Sequence, residues 1–319
     1  MIALDANGAD GGPGVVAEGG RLSGLDVEIF GPPMPGIGAD EEPALAVRSR
    51  QDSSIVQGAR AVADGRADAL VSPGPTGATL AASLLHIKRI RGVHRPAVAV
   101  VVPVPGGKPT LLLDAGANAE VRPEHLVQFA YMGATFMEVV HRVERPRVGL
   151  LSIGEEAKKG TPDVVEANER LAAGTLNFAG NVEGNDVTAG VVDVVVTDGF
   201  TGNVALKLME GTAATIVGAI RDAIRSSPVS ALGGLLIRGR LLGLRSQIDP
   251  NKTGGAILLG VRRPVVIAHG KSSAEGIANA VRLAQRAIDE RMIEKTAAAL
   301  EAAGVLRSAP TASFAQGHE

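Results

Sequence analysis

From Pro146 to Lys207, short apolar runs rich in β-branched residues break off into Gly-containing turns that carry Lys, Glu, Asp and Asn. In order they read PRVGLLSIGEEAKKG, LNFAGNVEGND and VVDVVVTDGFTGNVALK. Residues of these types can fix an anion, orient it and pass a proton. Two more turns have a related make-up: SPGPTGAT from Ser72 to Thr79, and DAGANAE from Asp114 to Glu120. Each follows a strand-like run, and SPGPTGAT leads into a helix, so its backbone N–H groups would converge at a positive helix end. Phosphate, free or carried on a larger ligand, is the chemistry such loops suit. For either loop alone, glycines that only make a tight turn account for the pattern equally well.

Chemistry at the ends of apolar runs needs elements to hold it. Short continuous runs bounded by turns are the pattern of strands buried on both faces of a parallel sheet, where function collects at the carboxyl ends. Strand-like and helix-like segments alternate along the chain. Ile2 to Leu4 and Val27 to Phe30 read as strands around an Ala/Gly-rich helix, and Gly31 to Pro43 reads as a Pro/Gly loop. Then come a helix from Ser54 to Asp64 with Ser53 as its N-cap, a strand from Ala69 to Val71, and a helix near Thr79 to Lys88. Strands at Val98 to Val102 and Thr110 to Leu113 precede a helix from Pro123 to Arg142, opened by proline in its first turn. Past Lys207 a helix runs on to Arg225, strands follow at Ile257 to Leu259 and Val265 to Ala268, and a last helix closes the fold. The alternation predicts an α/β fold with a largely parallel sheet. Residues 1–306 read as one catalytic domain, and 307–319, which lack periodicity, as a disordered tail.

Composition narrows the function classes. At 319 residues, 45% hydrophobic and 21% charged, the chain can bury a large core. With six Phe, one Tyr and no Trp it has almost no platforms for stacking bases, and a net charge of −2 gives no general pull on polyanions, so nucleic acid is not expected as a partner. The absence of cysteine removes disulfides, thiolate metal ligands and an enzyme-bound thioester, and fits a reducing cytoplasm. MIALDANGAD reads as a first strand and not as a signal sequence, and no apolar run is long enough for a spanning helix.

Familiar site motifs fail on inspection. GKS at Gly270 to Ser272 would need a glycine where Val265 stands to be a P-loop. The first strand is followed by DANGADGG and not by GxGxxG, so a dinucleotide site has no support there. There is no HExxH and the six His are scattered, so no metal is expected; no GxSxG elbow marks a serine nucleophile.

The blocks LLDAGAN, QFAYMG, PRVGLLSIGEEAKKG, LNFAGNVEG, DVVVTDGFTGNVALKLMEG, GGAILLG and HGKSS, in that order after IALDANGAD, resemble the PlsX-type phosphate acyltransferases up to about residue 290. The resemblance implies transfer of a fatty acyl group from acyl carrier protein to inorganic phosphate, giving an acyl phosphate for phospholipid synthesis. It also implies a Rossmann-like three-layer fold similar to phosphotransacetylases and to isocitrate- and isopropylmalate-type dehydrogenases. A cytoplasmic homodimer with no cofactor is expected, in peripheral contact with the membrane and with a downstream glycerol-phosphate acyltransferase. The residues agree with such chemistry, because phosphate is itself the nucleophile and needs only to be held against a thioester carbonyl.

Matched to the family's blocks, Lys159 is the lysine expected to bind phosphate or the developing oxyanion; it could instead be a solvated lysine paired with Glu155 or Glu156. Asp198 could orient or deprotonate phosphate, or cap a turn. Asn203 and Lys207 are four apart and share a helix face, while Lys207 also has Glu210 within reach. His269 completes the catalytic set, with a structural role as its alternative. The phosphate- and substrate-binding set is Asp5, Gly8, Ser72, Gly74, Thr76, Gly77, Asp114, Asn118, Asn181 and Glu183, where Asn181 and Glu183 could also serve only the turn. Pro73 and Pro75 stand where the family has Ala and Asn, so a ligand held by that asparagine must be held differently here.

Within the projecting stretch 223–250, Ala223 to Ile248 is Leu-rich with four Arg and no acidic residue. Arg225, Leu235, Leu236, Arg238, Arg240 and Arg245 are the residues expected to touch the acidic carrier protein or the membrane surface. A dimerisation arm fits as well, and its glycines are expected to weaken a helix. Two other functions stay open: a catalytically weakened paralogue that acts as a scaffold, suggested by Pro75, and an NAD-dependent decarboxylating dehydrogenase, for which the needed Arg and paired Asp are missing.

Overall fold

The structure, a computed structural model, describes residues 1–247, 252 and 254–307; for residues 241, 242 and 244–247 only the backbone is described. Ten strands form among these residues: β1 (Ile2–Asp5), β2 (Val27–Phe30), β3 (Ala69–Ser72), β4 (Ala97–Val102), β5 (Thr110–Leu113), β6 (Arg147–Leu151), β7 (Asn177–Val182), β8 (Val194–Val196), β9 (Ala256–Leu259) and β10 (Val265–Ile267). They join one sheet in the order β2-β1-β3-β10-β9-β4-β5-β8-β6-β7. Alternate residues of a strand feed opposite cores: Ile2 and Leu4 pack with Val71 and Leu113, while Ala3 packs with Leu70 and Val98. Strands covered on both faces need apolar residues at every position, hence the continuous runs.

The pairing is parallel except where β9 meets β10 and β4, and where β4 meets β5. These antiparallel contacts reverse the sheet's polarity. β1, β2, β3, β10 and β4 run one way; β9, β5, β8, β6 and β7 run the other. Consequently the carboxyl ends of β5, β6, β7 and β8 lie at the rim where β1, β3 and β10 begin.

One face is covered by α1 (Pro13–Ser23), α5 (Pro123–His141), α10 (Ala274–Asp289) and α11 (Met292–Ala302), which supply the largest core cluster. Of these α5 is apolar nearly all round and buried along most of its length. Its Gly133 permits close approach to the sheet, since a Cβ there would come 2.8 Å from Val194. The other face carries α2 (Pro43–Ser49), α3 (Ser54–Ala63) and α4 (Thr76–Ala82). α4 starts earlier than the expected Thr79 and passes into a π-helical turn, Ser83–Ile87, that ends at Lys88. Ser53 does sit at the N-cap of α3, yet its hydroxyl makes no capping bond. α6 (Pro162–Ala172) and α7 (Asp186–Ala189) complete the β6–β7–β8 region.

Two long helices stand at the surface. α8 (Gly199–Arg225) is buried only at Gly199 and Gly202, and α9 (Pro228–Gln247) packs back on it. The glycines expected to weaken a helix in this stretch do not break α9. Gly234 instead faces Ile224, where a Cβ would sit 2.4 Å from a methyl group, so the bare position lets the two helices touch. Among the described residues no helix is long and apolar enough to cross a membrane. The side chain of Arg245, residues 248–250 and the tail 308–319 lie outside the described residues.

Candidate functional site

The neighbouring strands β5, β8, β6 and β7 end at one rim, and their loops bring Asp114, Asn118, Asp198, Asn203, Lys159, Asn181 and Glu183 to it. Asp114 is fully buried there and saturated with donors. Its Oδ1 accepts from the N–H groups of Val98 (2.9 Å), Gly116 (3.1 Å) and Ala117 (3.0 Å), and its Oδ2 from the N–H and the side-chain amide of Asn118 (both 2.8 Å). Burial pushes this carboxyl above its ordinary value, and the hydrogen bonds from Ala117, Asn118 and Val98 pull it back. Every lone pair is committed, so Asp114 shapes the loop. Asn118 is equally engaged, its amide also donating to the Pro96 carbonyl at 2.7 Å.

The start of α8 is fastened to this loop. Asp198 is its N-cap and accepts from the Thr201 N–H at 2.8 Å, while the Gly199 N–H donates to the Asn118 carbonyl at 2.7 Å. A Cβ on Gly202 would lie 1.9 Å from the Asp114 carbonyl oxygen, so only glycine fits that turn. Asn203 is thereby set beside Gly116 with its exposed amide free of hydrogen-bond partners among the described residues. Lys207, one turn further on, is paired with Glu210 at 2.8 Å on the surface.

Lys159 is exposed and forms no ion pair among the described residues, so the pairing with Glu155 or Glu156 weighed from the sequence is not formed. Its loop is held from below. The Asn181 amide donates to the carbonyls of Glu156 (2.8 Å) and Lys159 (3.3 Å), its own carbonyl accepts from Asn168 (2.9 Å), and the Ser152 hydroxyl donates to the Lys159 carbonyl (2.8 Å). The amide of Asn181 is therefore spent on positioning the lysine. Glu183 starts a turn in which its N–H donates to Asp186 at 2.8 Å.

The rest of the expected set lies at the opposite rim, because β1, β3 and β10 run the other way. Asp5 is buried and accepts from the hydroxyls of Ser54 (2.6 Å) and Ser72 (2.7 Å) and from the Asn7 N–H (3.2 Å). Burial raises its carboxyl above the usual range, against the pull of Ser54, Ser72 and Asn7. Gly8 and Gly74 are in backbone contact, since a Cβ on Gly8 would lie 2.0 Å from the Gly74 Cα. The space enclosed by these loops is about 10 Å³, at the lower limit for one water and too small for phosphate. Thr76 opens α4, and Gly77 packs against Pro43, which a Cβ would approach to 2.8 Å. His269 is exposed at the end of β10, its Nδ1 accepting from the Lys271 N–H at 3.1 Å. A single set of loops above one rim, as the alternating pattern suggested, is thus corrected to two sets on two rims.

The partners that fix these residues escaped the sequence reading. Ser54 is 49 positions from Asp5, and Asn168 is 13 from Asn181; neither spacing carries a signal. Arg225, Leu235, Leu236, Arg238 and Arg240 are exposed on α8 and α9, away from both loop sets.

Comparisons with known proteins show the family from sequence and the fold from structure. A family model described as a fatty acid synthesis protein matches residues 35–295. A phosphate acyltransferase of Geobacillus sp. (strain WCH70) is 42% identical over 323 residues, covering 94% of this chain and 98% of that protein. One from Thermobifida fusca (strain YX) is 43% identical, covering 92% and 89%. Among solved structures, a phosphotransacetylase from Streptococcus pyogenes superposes with a TM-score of 0.54 at 19% identity, covering 94% of both chains. A branched-chain phosphotransacylase from Enterococcus faecalis V583 gives 0.54 at 16%, covering 90% of this chain and all of that one. At these identities the structures share the α/β fold.

Proposed function

Because the chain belongs to the phosphate acyltransferase family, we propose that it moves a fatty acyl group from acyl carrier protein to inorganic phosphate, at the rim where β5, β8, β6 and β7 end. The observation that carries the placement is Lys159: a lysine without a carboxylate partner among the described residues, on a loop clamped by Asn181 at the same rim as the glycine-rich start of α8. The fold shared with a 4-hydroxythreonine-4-phosphate dehydrogenase, at 14% identity, lends the dehydrogenase reading no support beyond architecture.

In this reading a phosphate oxygen attacks the thioester carbonyl carbon while Lys159 and the Asn203 amide face the charge that builds on phosphate and on the carbonyl oxygen. The tetrahedral adduct collapses, the C–S bond breaks, and the sulfur takes the proton that hydrogen phosphate brought with it. Acyl phosphate and a free thiol result, with charge balanced and no group on the enzyme acylated. Asp198 and Asp114 act as positioning residues, since one oxygen of Asp198 caps α8 and both oxygens of Asp114 shape the loop after β5. Lys207 would enter only by leaving Glu210. The loops at the opposite rim, with His269, are assigned to substrate contacts outside the phosphate step.

The partners follow as part of the same proposal. Phe200, Val204, Leu208, Ile216 and Ile220 form an exposed apolar stripe along α8, and Val229, Leu232, Leu235 and Leu236 extend it on α9. A second copy of the chain would cover the stripe on α8, and the exposed Arg225, Arg238 and Arg240 would meet carrier protein or an anionic membrane from the cytoplasmic side, near the glycerol-phosphate acyltransferase that consumes the product. Residues 1–306 would act as one catalytic body with 307–319 as its tail.

The test is direct. Pure protein, long-chain acyl carrier protein and phosphate should give acyl phosphate and one thiol per turnover, and Lys159→Gln should lower kcat/KM by about 10²- to 10³-fold. Acyl groups found on the polypeptide, or unchanged turnover in the variant, would sink the assignment.

A further inference from the structure

Apart from every residue given a role above, the loop before β4 and the first turn of α5 wall a cavity of about 570 Å³. Its lining presents the guanidinium groups of Arg89, Arg95, Arg122 and Arg307 and the imidazoles of His94 and His125, with no carboxylate among the lining residues. None of these four arginines has an ion pair among the described residues. Gathering them is unfavourable unless an anion neutralises them. The cavity is also built. Arg89 donates to the Val93 and His94 carbonyls, the Arg122 N–H donates to His125 Nδ1 at 3.2 Å, and the two imidazole rings lie 5.6 Å apart. The volume is within the range of about 300–1,000 Å³ usual for small-molecule sites, and guanidinium forks match the oxygens of phosphate.

One competing occupant has to be weighed. The ligand atoms of His94, Glu124 and His125 lie within 4.8 Å of one another, a spacing a divalent cation could use. Four arginines around a single carboxylate make the site repel cations, and a helix N-terminus adds to the positive side. Burial first, and then neighbouring positive charge, holds both imidazoles below their ordinary value against the pull of Glu124, and a bound anion would raise them.

We propose that this cavity is a second anion site of the chain, taking a small molecule with at least two phosphate groups. It goes beyond the transfer reaction, because none of its residues takes part in that reading. Inorganic pyrophosphate is the probe. Calorimetry should show binding to the wild-type chain and to Lys159→Gln alike, weakened at least tenfold in the double variant Arg95→Gln/Arg122→Gln and in raised salt. In the wild-type chain, proton resonances of His94 and His125 should titrate at higher pH once pyrophosphate is added. Equal affinity in the double variant, imidazole titrations that do not move, or zinc binding that needs His94 and outcompetes pyrophosphate would each overturn the proposal.

Discussion

Asp5 and Asp114 are both buried carboxylates that tie loops together, yet their partners differ in a way that a substitution exposes. Two of the three donors to Asp5 are hydroxyls, which can turn round and accept from an amide. All five donors to Asp114 are N–H groups, which cannot. Asp5→Asn should therefore cost under about 1 kcal/mol, while Asp114→Asn, whose new NH2 would face Asn118, should cost about 2–3 kcal/mol; urea unfolding of both variants measures the gap. At the Lys159 loop, Asn181→Ala removes three hydrogen bonds that place the lysine. Its kcat/KM should fall by about 10²-fold, with Lys159 itself intact, in the acyl phosphate assay. The polar types at these turns were legible in the sequence as chemistry. Which of them would be consumed by their neighbours was not, because Asn118 reaches Pro96 and Asn181 reaches Glu156 only after the strands have been laid side by side.

The elements were read with more success than their directions. A strand buried on both faces is apolar throughout whether its neighbour is parallel or antiparallel, so runs such as AVAVVV of β4 and AILL of β9 carry no mark of polarity. That missing mark is why one rim was expected and two were found. Glycines in helices had the same ambiguity. Gly202 and Gly211 both lie in α8, but a Cβ on the first would strike the Asp114 carbonyl while one on the second meets nothing. Gly202→Ala should destabilise the fold by about 3 kcal/mol or more, whereas Gly211→Ala should stabilise it by about 0.5–1 kcal/mol, as denaturant midpoints will report. Equal effects would mean that the first turn of α8 can shift off the β5 loop freely.

At the scale of the molecule, a compact body carries one exposed pair of helices. Leu236 is 80% exposed and Leu208 68%, values that leave the apolar stripe in water unless something covers it. Leu235→Glu with Leu236→Glu should abolish co-sedimentation with vesicles containing anionic lipid, and kcat on carrier-bound substrate in solution should stay within about twofold, since surface changes far from a site perturb it little. Loss of both would instead place these leucines in carrier recognition. The Leu- and Arg-rich composition of this region was visible in the sequence; its separation from the body was not, because burial of the α8 start rests on contacts with a loop some 85 positions earlier. Helix α8 is buried against the body only in its first turn, at Gly199 and Gly202, and the rest of its 27 residues, roughly 40 Å in all, is exposed or half-buried with α9 packed against it. Such a rod is a lever whose pivot is Gly202. A force applied at its tip would turn the helix about that pivot and reach the seat of Asp114 and Asn203 through the backbone itself.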